Sequence, residues 1–168
     1  CNILGFIGDK GNIPGVDIFL KDKELYKNEN FEFTTYHTPG HTLGHVMFHF
    51  HKNNFLFTGD TLFSLGCGRI FEGSYNQMFS SLKKIKRFSK DTMIYFGHEY
   101  TKNNSTFCLA NDPKNIQLKN KIKKIRQLLD IGKPTTPTSL ADELQSNIFL
   151  KTAKIETFKK LRVLKDNF

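Results

Sequence analysis

The sequence predicts an α/β fold of the segregated (α+β) kind, β-rich up to about residue 100 and helical over residues 101–168. Three observations carry this reading. Runs rich in aromatic and β-branched residues crowd the first hundred positions, as in Val46–Phe50 and Phe55–Phe57. Beyond His98 the apolar residues recur at helical spacing instead. With 38% hydrophobic residues and 17 phenylalanines in 168 positions, the chain carries enough apolar side chains for a packed core.

Taken in order, NILGFIG reads as a strand, Gly11–Gly15 as a turn and Val16–Leu20 as a short apolar strand. Phe31, Phe33 and Thr35 fall on one face at period two, as in a half-buried strand. Val46–Phe50 and Phe55–Phe57 are joined by the polar His51–Asn54 at hairpin spacing. TGDTLFSLGCGRIFEGS is glycine-rich and aperiodic, so a long surface loop of the functional kind is expected. Asn76–Phe88 places Met78, Phe79, Leu82, Ile85 and Phe88 near helical spacing, and Thr92–Phe96 reads as a buried strand ending at Gly97-His98. In the tail, Ile116, Ile122, Ile125, Leu128 and Leu129 share one face of a basic helix closed by Gly132 and Pro134. KPTTPTS reads as a linker, Ser139 as the N-cap of a short helix from Leu140, and Lys151–Leu164 as a last helix.

Composition narrows the function classes. The net charge is +9, but the 25 basic residues run from Lys10 to Lys165 among 16 acidic ones, which suits solvated lysines better than a nucleic-acid face. Cys1, Cys67 and Cys108 are too few and too irregular for a disulfide framework, so a reducing compartment is expected. No apolar run reaches the roughly 20 residues of a membrane span, and CNILGFIGDK lacks the features of a signal peptide. The expectation is a cytoplasmic protein without a membrane partner. A start at Cys1 fits a truncated product, an internal fragment or a processed protein. A Cys-linked lipid would sit beside NILGFIG, which reads better as a strand.

His37, His41, His45 and His49 are spaced by four, which would suit a helix face, but Pro39-Gly40 breaks a helix and the surroundings favour strands. His41 therefore sits on a turn at a strand end. Asp60 follows FLFTG and His98 follows IYFG, each at the C-terminal end of a β-run, where α/β folds gather their ligands. Nitrogen and oxygen donors of these types suit zinc, iron or manganese.

TPGHTLGH, FTGDTLF, GCGRIFEGS, FGHEYTKNN and the closing LRVLKDNF resemble, in order and at workable spacing, successive blocks of glyoxalase II. These are the hydroxyacylglutathione hydrolases of the metallo-β-lactamase superfamily. The resemblance implies the C-terminal part of a metallo-β-lactamase-like αββα sandwich over residues 1–100, followed by an α-helical substrate-binding domain over 101–168. It implies two divalent metal ions, zinc first, with iron and manganese as alternatives. His41 would bind one ion, His98 the other, and Asp60 both, holding the hydroxide that attacks a thioester carbonyl. The implied reaction takes S-(2-hydroxyacyl)glutathione and water to a 2-hydroxy acid and glutathione, in methylglyoxal detoxification.

Arg69, Tyr100, Arg162 and Lys165 match the positions that bind anionic glutathione in the family. Read alone, Arg162 and Lys165 would be a solvated helix end. Phe71 stands where relatives place a tyrosine, and the lost hydroxyl contact would cost about 1 kcal/mol of binding. His37, His49 and His51 read as structural, and His45 as at most a partner behind the ligands.

The superfamily's THxHxDH block is absent from these residues, so only His41, Asp60 and His98 can offer metal ligands. One reading is a hydrolase that is part of a longer chain, or is completed by a separately encoded N-terminal piece. A second is a non-catalytic remnant of a split gene. A third is a single-iron persulfide dioxygenase, against which LRVLKDNF argues. The missing part would also contribute strands, so these residues alone would expose sheet edges and apolar faces that normally pair, which predicts poor solubility or association with a partner.

Overall fold

The computed structural model describes residues 2–6, 8 and 13–168. Its centre is a six-stranded sheet ordered β10 (Thr138–Ser139), β9 (Met93–Phe96), β6 (Phe55–Gly59), β5 (Val46–Phe50), β4 (Glu32–His37) and β3 (Leu25–Lys27). From β3 to β6 the strands run antiparallel as a meander. The chain then crosses over through helix α1 (Tyr75–Ile85) to place β9 parallel to β6. β1 (Leu4–Phe6) and β2 (Ile18–Leu20) form a separate parallel pair.

Register decides what each sheet face presents, since directly opposed residues share a face. Tyr36 opposes Met47, His49 opposes Leu56, and Leu56 aligns with Ile94. Met47, Leu56 and Ile94 are fully buried in one core with Met78, Leu82 and Ile85 of α1. The opposite face is aromatic. Rings run from Tyr26 through Phe33, Phe50 and Phe57 to Tyr95, successive centroids being 4.9–5.3 Å apart. Phe57 lies in an interior strand of this sheet and is still 38% exposed.

The segment expected as a surface loop, residues 58–74, departs most from the sequence reading. Thr61–Gly68 are buried throughout and include a short hairpin, β7 (Leu62–Phe63) with β8 (Gly66–Cys67). A buried loop needs partners for its backbone polar groups, and side chains of the helical tail supply them. Asn104 Nδ2 donates to Ser64 O at 3.1 Å, Asn147 Nδ2 to Gly66 O at 3.1 Å, and Arg162 Nη1 to Cys67 O at 2.8 Å. Leu65 N donates to Glu143 Oε2 at 2.9 Å. These partners lie 40 to 95 residues away along the chain, beyond any local pattern.

The tail shows three further differences. Helix α2 (Thr101–Asn111) was not expected, because TKNNSTFCLAN has no apolar stripe and Asn104 and Ser105 are buried with Phe107 and Cys108. KPTTPTS is not wholly a linker, since Thr138 and Ser139 pair with Ile94 and Met93 at the sheet edge. The expected helix over Lys151–Leu164 begins later, as α6 (Ile155–Asp166), and a separate short helix α5 (Ile148–Lys151) precedes it, ending where Thr152 Oγ1 donates to Phe149 O. Strand β3 is too short for its period to show. Helix α3 (Ile116–Asp130) and the Ser139-capped α4 (Leu140–Ser146) are as expected. The predicted Gly11–Gly15 turn lies partly outside the described residues.

Candidate active site

β4 ends at His37, and the chain turns through Thr38–Gly44 before β5. Gly40 sits at φ +148° in this turn, and a Cβ there would lie 2.7 Å from Met78 Cα. Only glycine lets the turn pass so close to the backbone of α1. His41 is then gripped by the 69–72 segment: His41 Nδ1 donates to Arg69 O at 2.8 Å, and His41 O accepts from Phe71 N at 3.0 Å.

Asp60 leaves the end of β6, where Gly59 turns the chain at φ +48°. His98 leaves the end of β9. β6 and β9 are parallel neighbours, so their C-terminal ends lie side by side and residues far apart in sequence meet. Asp60 Oδ2 lies 3.2 Å from His41 Nε2 and 3.5 Å from His98 Nε2.

This arrangement fits metal ions. A carbonyl only accepts, so His41 Nδ1 carries the hydrogen and a neutral ring turns its Nε2 lone pair toward a carboxylate oxygen. With the ring neutral these two acceptors would suit a cation between them, whereas a protonated ring would donate to Asp60 directly. Two ligands bonded at about 2.0–2.1 Å to one ion in tetrahedral geometry lie about 3.4 Å apart, which matches the observed 3.2 and 3.5 Å. The donors therefore fit one histidine and a shared carboxylate per ion. Accordingly, among the described residues no group of three or more His, Cys, Asp or Glu side chains is arranged to hold a single ion.

Beside His98 lies a cavity of about 220 Å³ lined by Phe63, Cys67, Arg69, Tyr100, Asn103, Asn104, Arg162, Lys165 and Asp166. Tyr100 stacks on His98 with ring centroids 5.2 Å apart. Asp166 organises the basic wall. Its Oδ1 accepts from Arg69 Nε at 3.1 Å and from Arg162 Nη2 at 3.0 Å. Burial and the Arg162 charge pull the Lys165 ammonium below its ordinary value, and it donates to Asn103 Oδ1. Phe71 is not in this cavity. It is exposed, with its ring 5.0 Å from that of His41.

The remaining histidines face other partners. His37 bonds Leu43 O at 2.7 Å and His51 bonds Thr34 Oγ1 at 2.7 Å. His45 Nε2 accepts the Asp60 backbone N–H at 3.0 Å, and burial pushes its pKa down to about 4. Burial pushes the Cys67 thiol up, and that of Cys108 up to about 12, which removes both as nucleophiles. Sequence reasoning missed Asn103 and Asp166 in the cavity and Thr38 and Thr61 behind His41 and Asp60. Asp166 had a signal: it stands four residues after Arg162 in the closing block.

Residues 99–168 match the family described as "Hydroxyacylglutathione hydrolase C-terminus", and residues 3–98 match the metallo-beta-lactamase superfamily. A hydroxyacylglutathione hydrolase of Pelagibacter ubique is 53% identical over 168 residues, which cover 100% of this chain and 70% of that protein. The chain belongs to the hydroxyacylglutathione hydrolase family. The Rhodospirillum rubrum member is 40% identical over 182 residues, 100% of this chain and 71% of its own length. Among solved structures, ETHE1 from Myxococcus xanthus is 20% identical with a TM-score of 0.69, over 97% of this chain and 57% of that one. A metallo-beta-lactamase from Staphylococcus aureus is 21% identical with a TM-score of 0.67, over 96% and 44%. These two likenesses concern the fold, which is that of the metallo-β-lactamase superfamily. The family's members are named for the hydrolysis of hydroxyacylglutathione, a thiolester.

Proposed function

We propose that this chain serves the hydrolysis of S-(2-hydroxyacyl)glutathione, such as S-lactoylglutathione, in cytoplasmic methylglyoxal detoxification, with His41, Asp60 and His98 as ligands of two divalent ions, zinc first. The observation that carries the reading is a single carboxylate oxygen between two histidine nitrogens, next to a basic cavity. When bound, the ions lower the pKa of a water toward neutrality and so supply a nucleophile at neutral pH. Asp60 would be the carboxylate shared between the ions, with His41 and His98 on either side of it. Arg69, Arg162 and Lys165 give the anionic glutathione its electrostatic partner, with Asp166 keeping both guanidinium groups in place. Tyr100 offers its hydroxyl beside His98, and Phe71 shields the His41 ring. The leaving thiolate needs little help from an acid.

In this reading residues 1–100 carry the ligands and residues 101–168 close the substrate cavity over them. The remaining ligands come from a THxHxDH-bearing segment, in the same polypeptide or encoded separately. Strands of that segment have a surface to cover in the aromatic sheet face, whose Phe57 is exposed. No helix among the described residues is long and apolar enough to cross a membrane.

The test is thioester hydrolysis by the 168-residue chain with S-lactoylglutathione and excess zinc or manganese, alone and with a THxHxDH-bearing piece added. Expected is turnover once the piece is present, and its loss in Asp60→Ala. Silence in both conditions would overturn the proposal in favour of a non-catalytic remnant. Turnover by the chain alone would overturn the need for further ligands.

A further inference from the structure

The Asp60 residue is held from three sides. Its backbone N–H donates to His45 Nε2 at 3.0 Å. A Cβ added at Gly97 would lie 2.7 Å from Asp60 Oδ1, and one at Gly68 would lie 2.0 Å from Asp60 O. The His45 ring also presses on the preceding residue, since a Cβ at Gly59 would meet Nε2 at 2.8 Å.

The bond from Asp60 fixes the His45 tautomer. Nε2 accepts, so a neutral ring carries its hydrogen on Nδ1. Nδ1 lies 3.0 Å from Thr61 Oγ1 and 3.1 Å from Thr38 Oγ1. Thr61 Oγ1 donates to Thr38 Oγ1 at 3.1 Å, and Thr38 Oγ1 donates on to His45 O at 3.4 Å. The Nδ1 hydrogen lies between Thr61 and Thr38, with Thr61 the nearer acceptor, and every donor of the cycle has an acceptor. Both threonines are fully buried.

Thr38 and His45 bracket the turn that carries His41, and the turn is closed by Thr38 N donating to His45 O at 2.8 Å. Thr61 and Asp60 belong to the end of β6. One ring thus joins the turn bearing one ligand to the strand end bearing the other. We propose that His45 is a positioning residue: braced by Thr38 and Thr61, it fixes the peptide from which the Asp60 side chain leaves and the registration of that carboxylate against His41. This rests on the reading of Asp60 as the shared ligand.

A histidine that only filled the core would lower stability when replaced and leave the aim of Asp60 unchanged. The measurement is therefore made on Asp60, by NMR of the ¹⁵N,¹³C-labelled 168-residue chain without metal. In the unmodified chain a nitrogen–nitrogen coupling across the hydrogen bond should link Asp60 N to His45 Nε2, and its absence overturns the proposal whatever the variants do. In His45→Phe the Asp60 side chain should pass from one χ1 rotamer to averaging over two or more, with Asp60 amide exchange about tenfold faster and the amides of buried Ile94 and Phe158 unchanged. His45→Gln, which keeps an acceptor near the Nε2 position, should restore the single rotamer. A single Asp60 rotamer in His45→Phe, or no rescue by glutamine, overturns the inference. Should His45→Phe not fold, Thr61→Val removes the Nδ1 brace and should speed Asp60 amide exchange, and unchanged exchange there counts against the proposal. No thioester turnover enters these readouts, so failure of the hydrolase reading and failure of this one are separable.

Discussion

Replacing Glu143 with alanine should lower the unfolding free energy by about 3–5 kcal/mol, because it strands a buried charge. Glu143 is fully buried in α4, where its Oε1 takes the Lys121 ammonium and accepts from Thr138 Oγ1 at 3.1 Å. Its Oε2 accepts from Leu65 N at 2.9 Å and from Asn147 Nδ2 at 3.0 Å. One carboxylate therefore joins α3, α4, the sheet-edge strand β10 and the buried hairpin that follows Asp60. Without it, the Lys121 ammonium, whose side chain is only 10% exposed, has lost its anion, and the Leu65 amide has no acceptor. Urea unfolding of both proteins measures the difference. A loss below about 1 kcal/mol would show that water or repacking replaces the carboxylate. Exchanging both partners, Lys121→Met with Glu143→Leu, should cost less than Glu143→Ala alone, since no charge is left unpaired.

Acidification of the metal-free chain should reveal the buried His45. Its folded-state pKa is about 4 against an ordinary 6.5, burial being the main cause and the neighbouring His41 the next. The unfolded chain therefore binds a proton that the folded chain refuses. The sign follows: the contribution is fully present above pH 6.5, and it is lost as pH falls from 6.5 through about 4. At roughly 1.4 kcal/mol per pH unit, that interval amounts to about 3 kcal/mol. Carboxylates such as Glu99 titrate too. Burial raises Glu99, but its hydrogen bonds from Thr101 and Thr135 outweigh this and hold it below the usual range. The His45 share is therefore isolated by comparing chemical unfolding of the unmodified chain and His45→Gln across that window. The glutamine variant should show the flatter profile, and parallel profiles would refute a buried neutral histidine.

The placing of His41, Asp60 and His98 at strand ends was legible in the sequence for a physical reason. His41 follows Pro39-Gly40, Asp60 follows FLFTG and His98 follows IYFG, and a residue just after a β-run emerges at the sheet edge where parallel neighbours converge. The hairpin of β5 and β6 and the amphipathic α1 and α3 were legible because apolar spacing encodes which face is buried. The β7–β8 segment was not, because glycine-rich aperiodic sequence looks the same whether solvated or enclosed. Its enclosure depends on Asn104, Glu143, Asn147 and Arg162, none of which carries a local sign of pairing with it. Helix α2 escaped for the same reason: its buried face is built from Asn104, Ser105, Phe107 and Cys108, which make no stripe.

By itself the sequence determined the α/β class, most of the strands and amphipathic helices, and the family. Propensity, period and motif order are properties of neighbouring residues and survive without a fold. Tertiary structure alone decided that one Asp60 oxygen lies between two imidazoles, that Asp166 bridges two arginines, and that His45 meets the Asp60 amide. Each of these depends on distances between segments tens of residues apart, which are set by strand register and by the burial of polar groups that must find partners wherever the fold brings them.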